Sequence, residues 1–267
     1  MRTCLSCFFS LDFFLLLFIG LNLAFSGPVY ADKIPDGICV LLNGDFPDPT
    51  VVKDGNDYYM TTSCGGFPSL MIWHSTDLLH WERLNYALST SVEGAVWAPE
   101  LIKYAGLFYL YFPVANRIFV MTAEHPTGPW SEPKSIEGVQ GIDPGHIVDR
   151  EGNRYLYVDN GRIIRFASDG LSMCGKEIKV YDGWKFGDNY GVECFCLESP
   201  KAFYYNDYFY MISAQGGTGG PATSHMATIA RAKSVFGPYE NSPYNPLIKT
   251  WSPYEHWRSK GHATVIE

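Results

Sequence analysis

The sequence predicts an all-β fold, a five-bladed β-propeller whose fifth blade is truncated at the C-terminus. An acidic residue beside a proline, followed by an apolar run, returns at intervals of about 50 residues. Each copy is followed by a turn and a tyrosine-rich strand, so that a unit holds four short strands, which is typical of a propeller blade. No segment after the N-terminal apolar run has the periodicity of a helix, and we expect very little helix there.

The first blade begins at Asp48, which lies between two prolines and directly before a β-branched run. Proline disfavours the helical conformation of the residue that precedes it, so we expect extended backbone at Asp48. The pattern predicts strands over residues 50–53, 58–62, 70–74 and 82–86, with a tight turn at 54–56.

The same pattern recurs in the following segments. Predicted strands of the second, third and fourth blades cover residues 100–103, 108–113 and 118–122; 145–149, 155–159, 162–167 and 178–181; and 201–204, 209–214 and 226–230. Gly-Pro-aromatic turns at 128–130 and 237–239 close the second and fourth blades, which supports a repeated unit. A fifth copy opens at residues 261–266, and we expect only part of the fifth blade.

Acidic residues recur at the start of the first strand of a blade. The first strands line the central axis of a propeller, so Asp48, Glu100, Asp143 and Glu198 are expected to converge at one mouth of the channel. Like charges raise one another's pKa, and this can keep one acid protonated while another is ionised. The alternative is that each acid only caps a strand or accepts hydrogen bonds from a turn.

Composition limits the class of ligand. The net charge is −8 and charged residues make up only 18% of the chain, which argues against nucleic acid and against anionic membrane surfaces as partners. Aromatic residues make up 16% of the chain. A neutral, ring-shaped ligand that stacks on aromatic faces fits this composition better.

Residues 1–31 are typical of a secretory signal peptide. Met1-Arg2-Thr3 is a short positive start, residues 8–25 are mostly apolar, and Val29-Tyr30-Ala31 resembles a cleavage site. An uncleaved membrane anchor is the alternative, since the apolar run approaches a spanning length. We expect residues 32–267 to form one secreted or periplasmic domain, with no membrane contact after cleavage.

Cysteines give little guidance. Five cysteines follow the signal segment, and Cys194 and Cys196 lie on one predicted strand with their side chains on the same side. We interpret them as buried small hydrophobic residues rather than a disulfide or metal cluster, because no spacing resembles a zinc site.

Several motifs together resemble glycoside hydrolase family 43. They are Pro47-Asp48-Pro49-Thr50-Val51, His74-Ser75-Thr76-Asp77-Leu78-Leu79-His80-Trp81, Trp97-Ala98-Pro99-Glu100, Gly141-Ile142-Asp143-Pro144, Glu198-Ser199-Pro200 and Gly261-His262. The resemblance runs from about residue 40 to the end. It implies a five-bladed propeller, incomplete at its C-terminus, that inverts the anomeric centre while hydrolysing xylan, arabinoxylan or related plant polysaccharide fragments, as a β-xylosidase, an α-L-arabinofuranosidase or both.

The resemblance also implies roles for particular residues. Asp48 would be the general base, Glu198 the general acid, and Asp143 the residue that orients the acid and adjusts its pKa. Trp97 would line the sugar pocket, and His262 would lie near the axis, beside a structural calcium ion in many members; no cofactor is implied as required. Two positions depart from the family: Ser199 replaces the usual Gly, and Glu100 replaces the usual Asp at a position we interpret as structural.

Further residues are candidates for contact with a sugar. Phe67 could close over the pocket from the loop between the second and third strands. His225 begins a predicted strand and could hydrogen-bond a sugar, although a plain surface histidine is an equal alternative. Trp73, Trp81, Trp130 and Trp251 are predicted to pack between blades, and the glycine-rich segment 216–220 is predicted to be a loop at the mouth.

Two alternatives remain open on the residues alone. An invertase-like retaining fructosidase would use Glu193-Cys194, but Phe195 stands where that group has proline, and Ile142 stands where it has Arg before the middle Asp. A non-catalytic carbohydrate-binding propeller would be expected to have lost at least one of the three acids, and none is missing.

Overall fold

The computed structural model describes residues 39–64 and 66–266. The signal peptide predicted for residues 1–31 and the domain boundary at residue 32 lie outside the described residues. Within the described ranges, no helix has both the length and the apolar character needed to cross a bilayer.

The described chain folds as a β-propeller of four antiparallel four-stranded sheets, each with its strands in sequence order. The first blade holds β1 (Thr50–Asp54), β2 (Asp57–Thr61), β3 (Ser69–Ser75) and β4 (Glu82–Leu88). The second holds β5 (Glu100–Tyr104), β6 (Leu107–Val114), β7 (Arg117–Ala123) and β8 (Lys134–Gln140). Both blades confirm the predicted strands to within a few residues.

The third blade holds β9 (Gly145–Val148), β10 (Arg154–Val158), β11 (Arg162–Arg165) and β12 (Ile178–Lys179). The fourth holds β13 (Leu197–Tyr205), β14 (Tyr208–Gln215), β15 (Met226–Ala232) and β16 (Glu240–Asn241). Short 3₁₀ turns at Asp159–Gly161 and Asp188–Tyr190 are the helical elements of the described chain.

The fifth blade of the sequence prediction is not confirmed. Residues 261–266, predicted to open it, form no ladder with a neighbouring strand in the described chain. Thr264, Val265 and Ile266 nevertheless line the same central channel as the first strands of the four blades. The five-blade count stays a prediction.

The hydrophobic core lies between adjacent blades. One cluster joins blades one and two through residues such as Leu70 and Leu110, and another joins blades three and four through Tyr157 and Met211. A blade buries both faces of its sheet, which is why its middle strands are apolar at almost every position. Of the four tryptophans predicted to pack between blades, Trp73 and Trp81 are buried and Trp130 packs partly against a core cluster. The prediction is wrong for Trp251, whose surface is 66% exposed.

The start of the first strand has a recurrent backbone conformation. Asp48, Asp143, Ser199 and His262 all have positive φ, between 54° and 56°, and the first three directly precede proline. The extended conformation predicted for Asp48 is therefore wrong. Short polar side chains such as Asp tolerate the left-handed region best, and residues held in it carry local backbone strain.

Candidate active site

Asp48 is held at the mouth of the channel by two neighbours. Ser63 Oγ donates a hydrogen bond to Asp48 Oδ2 over 2.5 Å, and Nδ1 of His262 lies 3.1 Å from Asp48 Oδ1. The Asp48 side chain is 25% exposed. Burial raises its pKa above the ordinary value, while the Ser63 hydroxyl opposes this shift by stabilising the carboxylate.

Asp143 is the most deeply buried of the three predicted catalytic acids. It is 4% exposed, and its Oδ2 accepts a hydrogen bond from the backbone N–H of Ser199 over 3.0 Å. Burial raises the pKa of Asp143 well above its ordinary value, and the charges of Glu198 and Asp48 raise it further. The structure therefore brings the three acids within electrostatic range of one another.

Glu198 lies at the start of β13, one residue before the Ser199 N–H that bonds Asp143. Its Oε1 is 3.5 Å from Nε2 of His225. Burial raises the pKa of Glu198 to about 7, and the charge of Asp48 adds to the shift. A carboxyl group with this pKa can hold and release a proton near neutral pH.

Two buried histidines complete the cluster. His225 and His262 are 6% and 5% exposed, with ring centroids 6.4 Å apart. Burial lowers the pKa of His225 to about 4 and that of His262 well below its ordinary value, so both rings are neutral at pH 7. Nε2 of each ring and Oε1 of Glu198 are buried without a hydrogen-bond partner among the described residues. Buried polar atoms are normally paired, so this cluster is arranged for a polar ligand.

Glu100 does not join these acids, which corrects the prediction that it converges with them. When the first strands are aligned on their prolines, Glu100 takes the same position as Thr50 and Lys201, directly after the proline. Asp48 and Asp143 lie directly before the proline, two positions earlier. Its carboxylate pairs with Lys201 Nζ at 2.7 Å inside the channel, and Thr50 Oγ1 also donates to it. Glu100 is a structural residue, as interpreted from the sequence.

Trp97 and Phe67 lie on neighbouring loops beside Asp48. An isolated bridge joins Cys64 to Val96, and the Ser63 N–H donates to the carbonyl of Pro47. Both aromatic side chains are accessible, Trp97 at 52% and Phe67 at 58%. His225, in contrast, is buried against Glu198, so the surface-histidine alternative is wrong. His225 thus lies beside Glu198, while Trp97 and Phe67 follow the backbone contacts that join the loops next to Asp48.

Comparison with known proteins identifies the family. The model of the family described as "Glycosyl hydrolases family 43" matches residues 39–267. This chain belongs to glycosyl hydrolase family 43.

Curated relatives of the chain carry the names of glycosidases. The chain is 31% identical over 260 residues to a xylan 1,3-beta-xylosidase of Vibrio sp, a match that covers 85% of this chain and 46% of the relative. It is 31% identical over 244 residues to the non-reducing end alpha-L-arabinofuranosidase BoGH43B of Bacteroides ovatus, covering 85% and 44% of the two chains. The chain therefore spans about half the length of the curated relatives it matches.

Solved structures of family 43 have the same fold. The crystal structure of the GH43 BlXynB protein from Bacillus licheniformis superposes with a TM-score of 0.71 at 27% identity, covering 81% of this chain and 45% of that one. The Bacteroides ovatus xyloglucan PUL GH43B gives a TM-score of 0.71 at 30% identity and covers 82% and 45% of the two chains.

The described residues near His262 supply few of the ligands that the calcium ion implied by the family resemblance would need. Calcium takes six to eight oxygen ligands, whereas His262 offers one unpaired nitrogen. The ammonium of Lys201 acts on the same ring and lowers the pKa of His262. Among the described residues no group of three or more His, Cys, Asp or Glu could hold a metal ion. The predicted place of His262 beside calcium stays a prediction.

Sequence reasoning missed several residues of this family 43 site. Ser63 lies after β2 in no recognisable motif, so nothing in the sequence indicated its bond to Asp48. Lys201 could have been found, because it shares the proline-aligned register of Glu100 and carries the opposite charge.

The segment before Glu198 also differs from the prediction. Cys194 and Cys196 form a disulfide and are not buried hydrophobic residues. The glycine-rich loop packs on this segment, where the N–H of Gly219 donates to Glu193 Oε2 over 2.7 Å. A Cβ at Gly220 would collide with Glu193, which explains the glycine there. The carboxylate of Glu193 therefore serves as a hydrogen-bond acceptor for the glycine-rich loop.

Proposed function

We propose that this chain is an inverting glycosidase that hydrolyses O-glycosidic bonds in xylan, arabinoxylan or related fragments, as a β-xylosidase, an α-L-arabinofuranosidase or both. One observation carries the proposal. Three carboxylates from separate blades share one mouth of the channel, and their surroundings differ enough to separate a proton donor from an anion. The named activities of the relatives support this substrate class.

Asp48 is the general base in this mechanism. The Ser63 hydroxyl and Nδ1–H of neutral His262 stabilise its carboxylate form and fix its orientation. An ionised Asp48 accepts a proton from a water molecule, which then attacks the anomeric carbon from the face opposite the leaving group. For that water to fit, we expect the carboxyl groups of Asp48 and Glu198 to lie about 6.5–9.5 Å apart.

Glu198 is the general acid. A pKa of about 7 lets it carry a proton at the working pH and transfer that proton to the leaving-group oxygen as the glycosidic bond breaks. Asp143 acts through Glu198. Its carboxyl group accepts a hydrogen bond from the N–H of Ser199, the residue after Glu198, and it interacts electrostatically with the Glu198 carboxylate. Asp143 is therefore a positioning residue that also tunes the acid.

The remaining candidate residues are assigned to binding of the sugar. We assign Trp97 and Phe67 as accessible apolar surfaces for the sugar face, and His225 as a hydrogen-bond partner for a hydroxyl through its unpaired Nε2. We also propose that the protein is secreted and that residues 261–266 occupy the place of a fifth blade, which the channel-lining position of Thr264 supports.

The test is hydrolysis of 4-nitrophenyl β-D-xylopyranoside and 4-nitrophenyl α-L-arabinofuranoside, with the anomer of the first product followed by proton NMR. We expect turnover of at least one substrate with inverted configuration. Glu198→Gln should lose activity on xylo-oligosaccharides, while Glu193→Gln serves as a matched control because that carboxylate is exposed and bonded to the loop. Retained configuration would favour the invertase-like mechanism, and no turnover by the wild-type chain would overturn the proposal.

A further inference from the structure

Five aromatic side chains gather on segments next to the strand that carries Glu198, apart from Trp97 and Phe67. This aromatic wall consists of Trp184, Phe186, Tyr190, Phe195 and Trp251. Phe186 and Phe195 stack with centroids 4.3 Å apart, Trp184 contacts Phe186 and Tyr190, and Tyr190 contacts Trp251. Phe195 is 54% exposed and Trp251 is 66% exposed, so the wall presents ring surface to solvent.

The wall is rigidly attached to the strand that carries the acid. Phe195 is enclosed by the Cys194–Cys196 disulfide, three residues before Glu198. The backbone of Trp184 makes two hydrogen bonds with the fully buried side chain of Gln215. Gln215 in turn pairs with Leu197, the residue next to Glu198. Displacing these rings would therefore disturb the strand that positions the acid.

The far end of the wall is anchored equally well. Lys249, 5% exposed, donates from Nζ to the carbonyls of Tyr190 and Thr223 over 2.8 and 2.6 Å. The N–H of Trp251 donates to Glu255 Oε1 over 2.6 Å. These polar anchors hold the rings in place at little further entropic cost, which is the requirement for a preorganised binding surface.

The position of the wall selects its ligand. A general acid protonates the oxygen of the leaving group. The wall is built on the segment that leads into the strand of this acid, not on the blade that carries the base Asp48, so we place it on the leaving-group side of the bond. Contiguous exposed aromatic surface beside a polar cleft marks a binding site, since single exposed rings are common and clusters are not. A pyranose presents a flat face of C–H groups that packs on an aromatic ring while its hydroxyls stay in water.

We propose that the aromatic wall binds pyranose units on the leaving-group side of the cleaved bond, so that the chain prefers xylo-oligosaccharides to isolated xylosides. This rests on the proposed glycosidase function for its substrate class. Two or more stacked sugars would increase affinity for long ligands without contacting the carboxylates.

Chain-length dependence tests the proposal. We expect Phe195→Ala and Trp251→Ala each to lower kcat/KM for xylotetraose about 10-fold more than kcat/KM for 4-nitrophenyl β-D-xylopyranoside. Tyr254→Ala is the control, because Tyr254 is 94% exposed in the same loop as Trp251 and is not part of the wall. Equal effects on both substrates would overturn the proposal.

A direct binding measurement separates failure of the wall from failure of the proposed hydrolysis. In the Glu198→Gln background, calorimetry should give about 10-fold weaker xylotetraose binding when Phe195→Ala or Trp251→Ala is added, with the Tyr254→Ala control unchanged. Unchanged affinity for xylotetraose in the double variants, or no xylotetraose binding by Glu198→Gln itself, would overturn the proposal that the aromatic wall binds sugar, whatever the turnover assays show. The fluorescence component that is lost in Trp251→Phe should be quenched by acrylamide. A component that resists quenching would also overturn the proposal, because protein would then cover the wall.

Discussion

Glu100 and Asp143 lie at the first strands of neighbouring blades and are almost equally buried, at 7% and 4% exposed, yet their partners differ. Glu100 accepts bonds from the ammonium of Lys201, the hydroxyl of Thr50 and the N–H of His146. Asp143 accepts one backbone hydrogen bond and faces two other acids. The interior of the channel neutralises its carboxylate with a bonded lysine, whereas the mouth concentrates carboxylates that repel one another.

The difference indicates which acids serve chemistry. The charge of the buried Glu100 carboxylate is compensated by the bonded ammonium of Lys201, and removing the lysine would leave an uncompensated buried charge. Carboxylates that repel one another hold a proton at a pH where an isolated acid would have lost it. The comparison predicts that substitutions at the mouth change activity more than stability, and that substitutions in the interior do the reverse.

Loss of the base or the acid should have the largest effect. Asp48→Asn removes the proton acceptor, and we expect a fall of about 10²–10⁴ in kcat on every substrate. Glu198→Gln should be as severe on xylo-oligosaccharides but milder on a dinitrophenyl glycoside, whose leaving group departs without a proton. Steady-state kinetics on both leaving groups check this. Equal losses for Glu198→Gln on the two would contradict the assigned roles.

Breaking the interior ion pair should mainly reduce stability. Lys201→Met leaves Glu100 buried without its cation, and we expect the free energy of unfolding to fall by about 3–5 kcal/mol, measured by urea denaturation. The double variant Lys201→Met/Glu100→Gln should recover part of the loss because no charge is then stranded. A double variant as unstable as the single one would show that the pair is not the cause.

Removing the charge of Asp143 should shift the pH profile. The charge of Glu198 raises the pKa of Asp143, so the two carboxyl groups titrate as a coupled pair, and Asp143→Asn removes one member of that pair. Activity requires protonated Glu198 and is lost as pH rises through the pKa of Glu198, so the basic limb of kcat/KM should move to lower pH in Asp143→Asn. Glu193→Gln also removes a charge that raises the pKa of Glu198, but this carboxylate is exposed and screened by solvent, so the basic limb should move to lower pH by less. An unmoved limb in Asp143→Asn would contradict the tuning role.

The smallest effect is expected at Ser63. Ser63→Ala removes the hydroxyl that lowers the pKa of Asp48, so the acidic limb should move to higher pH and kcat should fall about 10-fold. Ser63→Thr keeps the donor and should restore both. A pH profile unchanged in Ser63→Ala would show that His262 alone holds the base.

Blade boundaries were accessible from the sequence because each blade repeats the same strand pattern. The relative positions of the acids were harder to predict. Aligning the blades on their acidic residues grouped Glu100 with Asp48, whereas aligning them on their prolines separates the two residues by two positions. Ser63 and the Phe186–Phe195 contact were out of reach, because they depend on where loops of different length come together. The disulfide could not be predicted either, since strand alternation alone does not bring two sulfur atoms into contact.

The left-handed residues at the mouth have a consequence for how such a site can change over evolutionary time. Asp48 and Asp143 precede the ladders of their blades, and Ser199 lies in the irregularity between the paired residues Glu198 and Lys201. Exchanging one of these side chains alters the chemistry at the mouth of the channel without removing a hydrogen-bonded residue pair from any sheet. Each such blade contributes one position at the mouth that can be substituted independently. During evolution an acid, a hydroxyl or an imidazole can therefore replace another there while the fold of the propeller is kept.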